Sequence, residues 1–128
     1  MITRISKDKQ KANSLKKMAK VTLERLNKTD KEKYPSNTLL DYYDVLHKLM
    51  EALTIKEGIK IKGEGAHQEL IEYIAKKKYI DEKTRQFLQQ MRDYRNRISY
   101  EGFMIPKNYI HINKNTIQKI ITNLSKRI

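Results

Sequence analysis

The position of its helix breakers constrains this chain more than any other feature. The 128 residues contain two prolines and four glycines, Pro35, Gly58, Gly63, Gly65, Gly102 and Pro106. Proline lacks an amide donor and clashes with the preceding turn, and glycine is costly to order, so both interrupt helices. Between them, apolar residues recur every three or four positions, the period of one helix face. Ala12, Leu15, Met18, Ala19, Thr22 and Leu26 mark a helix over about 9–27. A polar connection leads to Pro35, and Ser36 offers an N-cap for a second helix. Its seam is Leu39, Tyr43, Leu46, Met50 and Leu53, widened by Tyr42 and Leu49, and it ends near Gly58. Residues 60–65 read as a loop. A third helix over about 66–77 turns Leu70, Ile71, Ile74 and Ala75 inward. Asp81 is the N-cap candidate of a fourth, which reaches about Gly102 and buries Phe87, Leu88, Met91, Tyr94 and Ile98. Glu82 favours its first turn electrostatically. Residues 103–113 read as irregular or briefly extended, and 115–126 as a last helix with Ile117, Ile120, Ile121 and Leu124 inside. The pattern predicts an all-α fold, a four- to five-helix bundle forming a single domain over 1–128.

Composition removes several function classes. No cysteine is present, which excludes disulfide frameworks, thiolate metal sites and cysteine nucleophiles. Met1 to Lys7 lack the apolar stretch of a signal peptide, and no apolar run approaches the ~18 residues of a membrane span, so a soluble cytoplasmic protein is expected. His47, His67 and His111 do not form a spaced metal pair, and neither a metal nor another cofactor is expected. His67, just after Gly63 and Gly65, stands at a helix start, where a histidine touches a phosphate or simply caps or packs. The short Gly63-Glu64-Gly65 is not a phosphate loop, and no serine sits in a nucleophile elbow.

Charge points to an anionic partner. The 28 Lys and Arg against 15 Asp and Glu give a formal charge of +13. Such a field attracts nucleic acid, nucleotides, anionic membranes or acidic proteins, and also serves solubility alone. The fourth helix narrows the choice. On a wheel with Met91 at zero, Leu88 lies at about +60°, Ile98 at about −20° and Phe87 at about −40°. Arg95 falls at about +40°, inside the apolar stripe. An unpaired charge in such a place costs several kcal/mol, so an anion must meet it, either an acidic side chain or a phosphate. Arg92, Asn96 and Ser99 make a polar strip beside it, a combination suited to phosphate and to base or sugar groups. Asp44, His47 and Glu51 flank the seam of the second helix, and Asp44 and Glu51 are the candidate acidic partners; Glu51 has either an arginine or its own His47 to pair with. Asp93 and Arg97 are spaced as an ordinary surface pair.

At Arg95-Asn96-Arg97-Ile98-Ser99-Tyr100-Glu101-Gly102 the chain resembles the signature of the HEPN family. That signature is an arginine, a polar residue that is often asparagine, a spacer, and a histidine four to six residues on. Arg95 and Asn96 match, and Tyr100 matches in spacing with tyrosine in place of histidine. The helix layout and the Tyr42-Tyr43 pair on the second helix are similar too. The resemblance implies a homodimer whose motif lines a cleft near the dimer interface. It further implies RNA or nucleotide as ligand, in some members metal-independent endoribonuclease activity as the toxin of a toxin–antitoxin pair, and in some a minimal nucleotidyltransferase as partner. The tyrosine that such partners modify, two residues after the motif histidine, is here Gly102. In a cleaving member Arg95 would stabilise the phosphate charge, Asn96 would position the substrate, and Tyr100 would act as base or acid. A tyrosine of pKa about 10 is a poor base at pH 7. The expected function is therefore a HEPN-like dimeric module that binds RNA or nucleotide, with weak or lost ribonuclease activity. An active endoribonuclease toxin using Arg95, Asn96 and Tyr100, and an interaction subunit of a minimal nucleotidyltransferase, are the alternatives.

Overall fold

The computed structural model describes residues 1–128. The chain runs β1 (Ile2–Arg4), α1 (Lys9–Asn27), α2 (Pro35–Lys56), β2 (Ile59–Ile61), α3 (Ala66–Lys76), α4 (Glu82–Glu101) and α5 (Tyr109–Lys126). Local chemistry sets several helix ends. Asp8 caps α1 by accepting from the Lys11 amide at 2.9 Å, and Asp81 caps α4 by accepting from the Thr84 amide at 2.8 Å. Gly102, with φ 67°, closes α4 in the left-handed conformation that glycine adopts without strain.

The apolar seam of α2 makes it the central element, and it packs against the other four helices. Leu39, Tyr43, Leu46, Leu49 and Met50 are all buried. Side chains of this kind each contribute about 1.5–3 kcal/mol on full burial. They meet Leu26 of α1, Ile71 and Ile74 of α3, Leu88 and Met91 of α4, and Ile117, Ile121 and Leu124 of α5 in one core. The predicted all-helical bundle is thus present, and no helix is long and apolar enough to cross a membrane.

The structure departs from expectation in three places. Residues 59–61 are not part of a loop but a strand, paired antiparallel with β1 in the register Ile2↔Ile61, Thr3↔Lys60, Arg4↔Ile59. Three-residue strands separated by more than fifty positions carry no periodicity of their own, so only the fold pairs them. Helix α5 begins at Tyr109, several residues before the expected start, because Tyr109 and Ile110 are buried in its first turn. Pro35 opens α2 and leaves Ser36 inside the helix. The Ser36 hydroxyl instead accepts from the Ile105 amide at 3.2 Å, tying the α4–α5 connection to α2.

Candidate functional site

Two arginines of α4 lack what their setting calls for. Arg92 and Arg95 are half-buried, yet neither has a carboxylate within ion-pair distance. The arginines that do are Arg25 with Asp41 at 2.8 Å, Arg85 with Glu82 at 2.7 Å and Glu72 at 3.0 Å, and Arg97 with Glu101 at 3.8 Å. Arg92 donates from Nε to Gln89 Oε1 at 2.7 Å, and Arg95 from Nη1 to Asn96 Oδ1 at 3.0 Å. These neutral amides hold the guanidinium groups in place without cancelling their charge.

The two charges act on a cluster built by α2 and α3. Tyr43, buried on α2, has its hydroxyl 3.2 Å from Nδ1 of His67 in the first turn of α3. One turn along α2, His47 lays its ring against that of His67, with centroids 4.0 Å apart and planes 20° from parallel. Glu51, a further turn on, sits 3.0 Å from His47 Nδ1. Its other oxygen faces Lys60 of β2 at 3.4 Å. Tyr43, His47 and Glu51 share one α2 face because the spacing of four nearly closes a helical turn. The β1–β2 pairing brings Lys60 to them. Beside the imidazoles opens a cleft of about 330 Å³ whose walls include His47, Glu51, Lys60, Lys62 and His67.

The environment fixes the charge states. Burial pushes the Tyr43 hydroxyl up to about 12, against the opposing pull of Arg92 and Arg95, so it keeps its proton. Burial, then the positive charges of His47 and Arg95, push His67 down to about 4; Glu51 opposes and Arg92 adds. His67 is therefore neutral at pH 7. The hydrogen bond from His47 leads in holding Glu51 down at about 2, with Lys60 adding to it against the effect of burial. A buried phenol with a single partner is satisfied as a donor, which assigns the Tyr43 hydroxyl as donor to His67 Nδ1, 3.2 Å away. Neutral His67 then carries its own proton on Nε2, as a donor.

The residues expected from sequence divide into two groups. Arg92, Arg95 and Asn96 lie together on α4, and Glu51 joins the cluster by way of His47 and Lys60 rather than an arginine. Asp44 is exposed and pairs with Lys48 at 2.7 Å. Ser99 is exposed, and Tyr100 is 78% exposed, making no part of the cluster. Helix α4 stays helical through Glu101, so no bend turns Tyr100 back toward Arg95. Arg97 lays its guanidinium over the Phe103 ring at 3.9 Å and pairs with Glu101 instead of Asp93. Sequence reasoning did not join Tyr43, His47, His67 and Lys60 into one site. The spacing Tyr43, His47, Glu51 was the available signal. No protein-family model, curated protein or solved structure matches the chain.

Proposed function

We propose that the protein is a HEPN-like dimeric module that binds RNA or nucleotide through phosphate at Arg92 and Arg95, with weak or lost ribonuclease activity. One observation carries the reading: two half-buried guanidinium groups, fixed by Gln89 and Asn96, have no carboxylate to neutralise them. A phosphate supplies two oxygens in the geometry a guanidinium fork prefers, and a net charge of +13 draws it in. Asn96, hydrogen-bonded to Arg95, sets the orientation of the fork. The lapse of cleavage is supported by the exposure of Tyr100, the residue at the motif-histidine spacing. It is also supported by His67, whose Nδ1 is engaged by Tyr43, so that its neutral form offers a donor and not a base.

Binding of labelled single-stranded RNA, with parallel incubation of total RNA in EDTA, tests this. Arg95→Ala should weaken binding by about 1–3 kcal/mol, the scale of hydrogen bonds to charged groups. Lys17→Ala, on the exposed side of α1, should lose less, and Tyr100→Phe should leave binding unchanged. Equal small losses in the Arg95 and Lys17 variants would reduce the site to diffuse electrostatics. An active endoribonuclease is the second reading, favoured by the stacked imidazoles of His47 and His67, on the second of which the Arg95 charge acts. Rapid metal-independent cutting to 2′,3′-cyclic phosphate ends, lost in both Arg95→Ala and His67→Gln, would replace the binding module with that enzyme.

A further inference from the structure

We infer that the groove between α4 and α5 is a second nucleic-acid contact, which takes an unpaired base of a single strand over the ring of Phe87 while Lys83 and Lys119 hold the flanking phosphates. It lies away from the Arg92 and Arg95 pair and does not depend on it. On the wheel of α4 that places Met91 at zero, Lys83 falls at about −80° and Gln90 at about −100°, whereas Arg92 falls at about +100°. The fully buried Leu88 and Met91 separate the two flanks.

The fold opens the groove. Helices α4 and α5 each pack on α2 but not closely on each other. The space left between them is about 510 Å³, within the range of small-ligand sites. Its floor is Phe87 and Ile120, and its walls include Lys83, Gln90, Thr116 and Lys119. Of the two phenylalanines, Phe103 stacks on Tyr94 with centroids 5.9 Å apart and lies under Arg97, whereas half-buried Phe87 has neither a ring nor a cation against it. An aromatic side chain on such a floor offers a base a stacking platform.

Charge and hydrogen bonding then choose the ligand. No Asp or Glu lines the groove, and none occurs from Gly102 to Ile128. Of the acids at the start of α4, Asp81 caps the helix and Glu82 pairs with Arg85; exposed Asp93 lies outside the walls. Gln86 on the rim already donates to Glu82 at 3.1 Å, but Lys83, Gln90, Thr116 and Lys119 make no side-chain hydrogen bond or ion pair within the chain. The lysines alone would serve an acidic peptide equally well. The ring and the free Gln90 amide, which can pair with a base edge, favour a nucleotide. Past Lys119 a further hollow of about 520 Å³ continues along α5 beside Gln118, Thr122 and Lys126, a basic track for the rest of the strand.

The two phenylalanines make a direct test. Protein with isotope-labelled phenylalanine rings gives two sets of ring signals, assigned with Phe87→Leu, and is titrated with a short oligoadenylate and with an abasic strand of equal length. Oligoadenylate should move the Phe87 signals upfield, as a base stacked on the ring does, and leave those of Phe103; the abasic strand should move neither. In anisotropy titrations oligoadenylate should bind about tenfold more tightly than the abasic strand, the scale of one stacked base. Phe87→Leu should remove most of that difference and Phe87→Tyr should keep it. Gln90→Ala combined with Lys119→Ala, at exposed positions that leave the core intact, should weaken oligoadenylate binding several-fold. Phe87 signals unmoved by bound oligoadenylate, or equal affinity for the two strands, would overturn the inference; if that binding is lost in Arg95→Ala, the phosphate site stands alone. Phe87 shifts and binding that survive Arg95→Ala unchanged would keep the groove and remove the Arg95 site. Phe87 signals that answer polyglutamate and not oligoadenylate would give the groove to an acidic protein and end its reading as a nucleic-acid contact. If neither strand binds, both readings fall.

Discussion

At the scale of single residues, the cluster on α2 and α3 ties stability to pH. His67 is pushed from the ordinary histidine value of 6.5 down to about 4, and Glu51 from 4.5 down to about 2. For each, the unfolded chain binds the proton more readily than the native one, so stability rises with pH across the interval between the two values. The contribution of His67 is present above pH 6.5 and lost as pH falls toward 4. That of Glu51 is present above pH 4.5 and lost as pH falls toward 2. Urea unfolding of the free protein from pH 7.5 to 3 should therefore show stability falling on the acid side. His67→Gln should flatten the upper part of the curve, and Glu51→Gln the lower. Curves for both variants that run parallel to the natural protein would mean that neither group titrates as its surroundings imply.

At the scale of elements, the small sheet is what carries Lys60 to the site, and it depends on how α2 ends. Gly58 lies between α2 and β2 with φ 82°, and the Ile5 amide donates to its carbonyl at 2.9 Å. A Cβ built there would come within 2.8 Å of the Ile5 carbonyl oxygen, a backbone atom that cannot swing away. Gly58→Ala should cost about 1–3 kcal/mol from the left-handed conformation, with the backbone clash in addition. Gly63→Ala is the comparison. Its φ of 90° is equally unfavourable for alanine, but nothing lies within 4 Å of the added carbon. Chemical denaturation should rank Gly58→Ala as clearly the more damaging. A similar loss in both would show that the β1–α2 approach does not restrict this position. Because Lys60 lies only two residues on, Gly58→Ala should also weaken nucleotide binding.

At the scale of the whole molecule, the dimeric part of the proposal makes a claim about assembly. Tyr100, Met104 and Ile112 are 78%, 77% and 63% exposed, and they fall in one stretch of chain, from the last turn of α4 to the first turn of α5. A two-fold interface between copies needs more than about 1,000 Å² of buried surface. Light scattering at micromolar concentration should then give about twice the chain mass of 15.3 kDa. Replacing Met104 and Ile112 by glutamate should return the monomer if this stretch lies in the interface. A natural protein that scatters only as monomer would remove the dimer while leaving the Arg95 site, which is assembled within one chain.

The sequence by itself determined the helical architecture, because helix formation depends on neighbours three and four positions away, and the rarity of glycine and proline left those neighbours undisturbed. It also singled out Arg95, since a guanidinium in an apolar stripe is anomalous on the wheel alone. The capping of α4 by Asp81 and its close at Gly102 were legible for the same local reason. What only the tertiary structure decided were the relations between distant segments. The β1–β2 pairing joins Ile2 to Ile61, and the histidine stack joins His47 to His67 across a loop and a strand. Whether Arg95 finds a carboxylate likewise depends on how α2 and α4 are rotated about their own axes, which side-chain packing fixes and helical periodicity does not. That rotation leaves Glu51 to His47 and Lys60, leaves both α4 arginines without a counter-charge, and turns Tyr100 out to solvent.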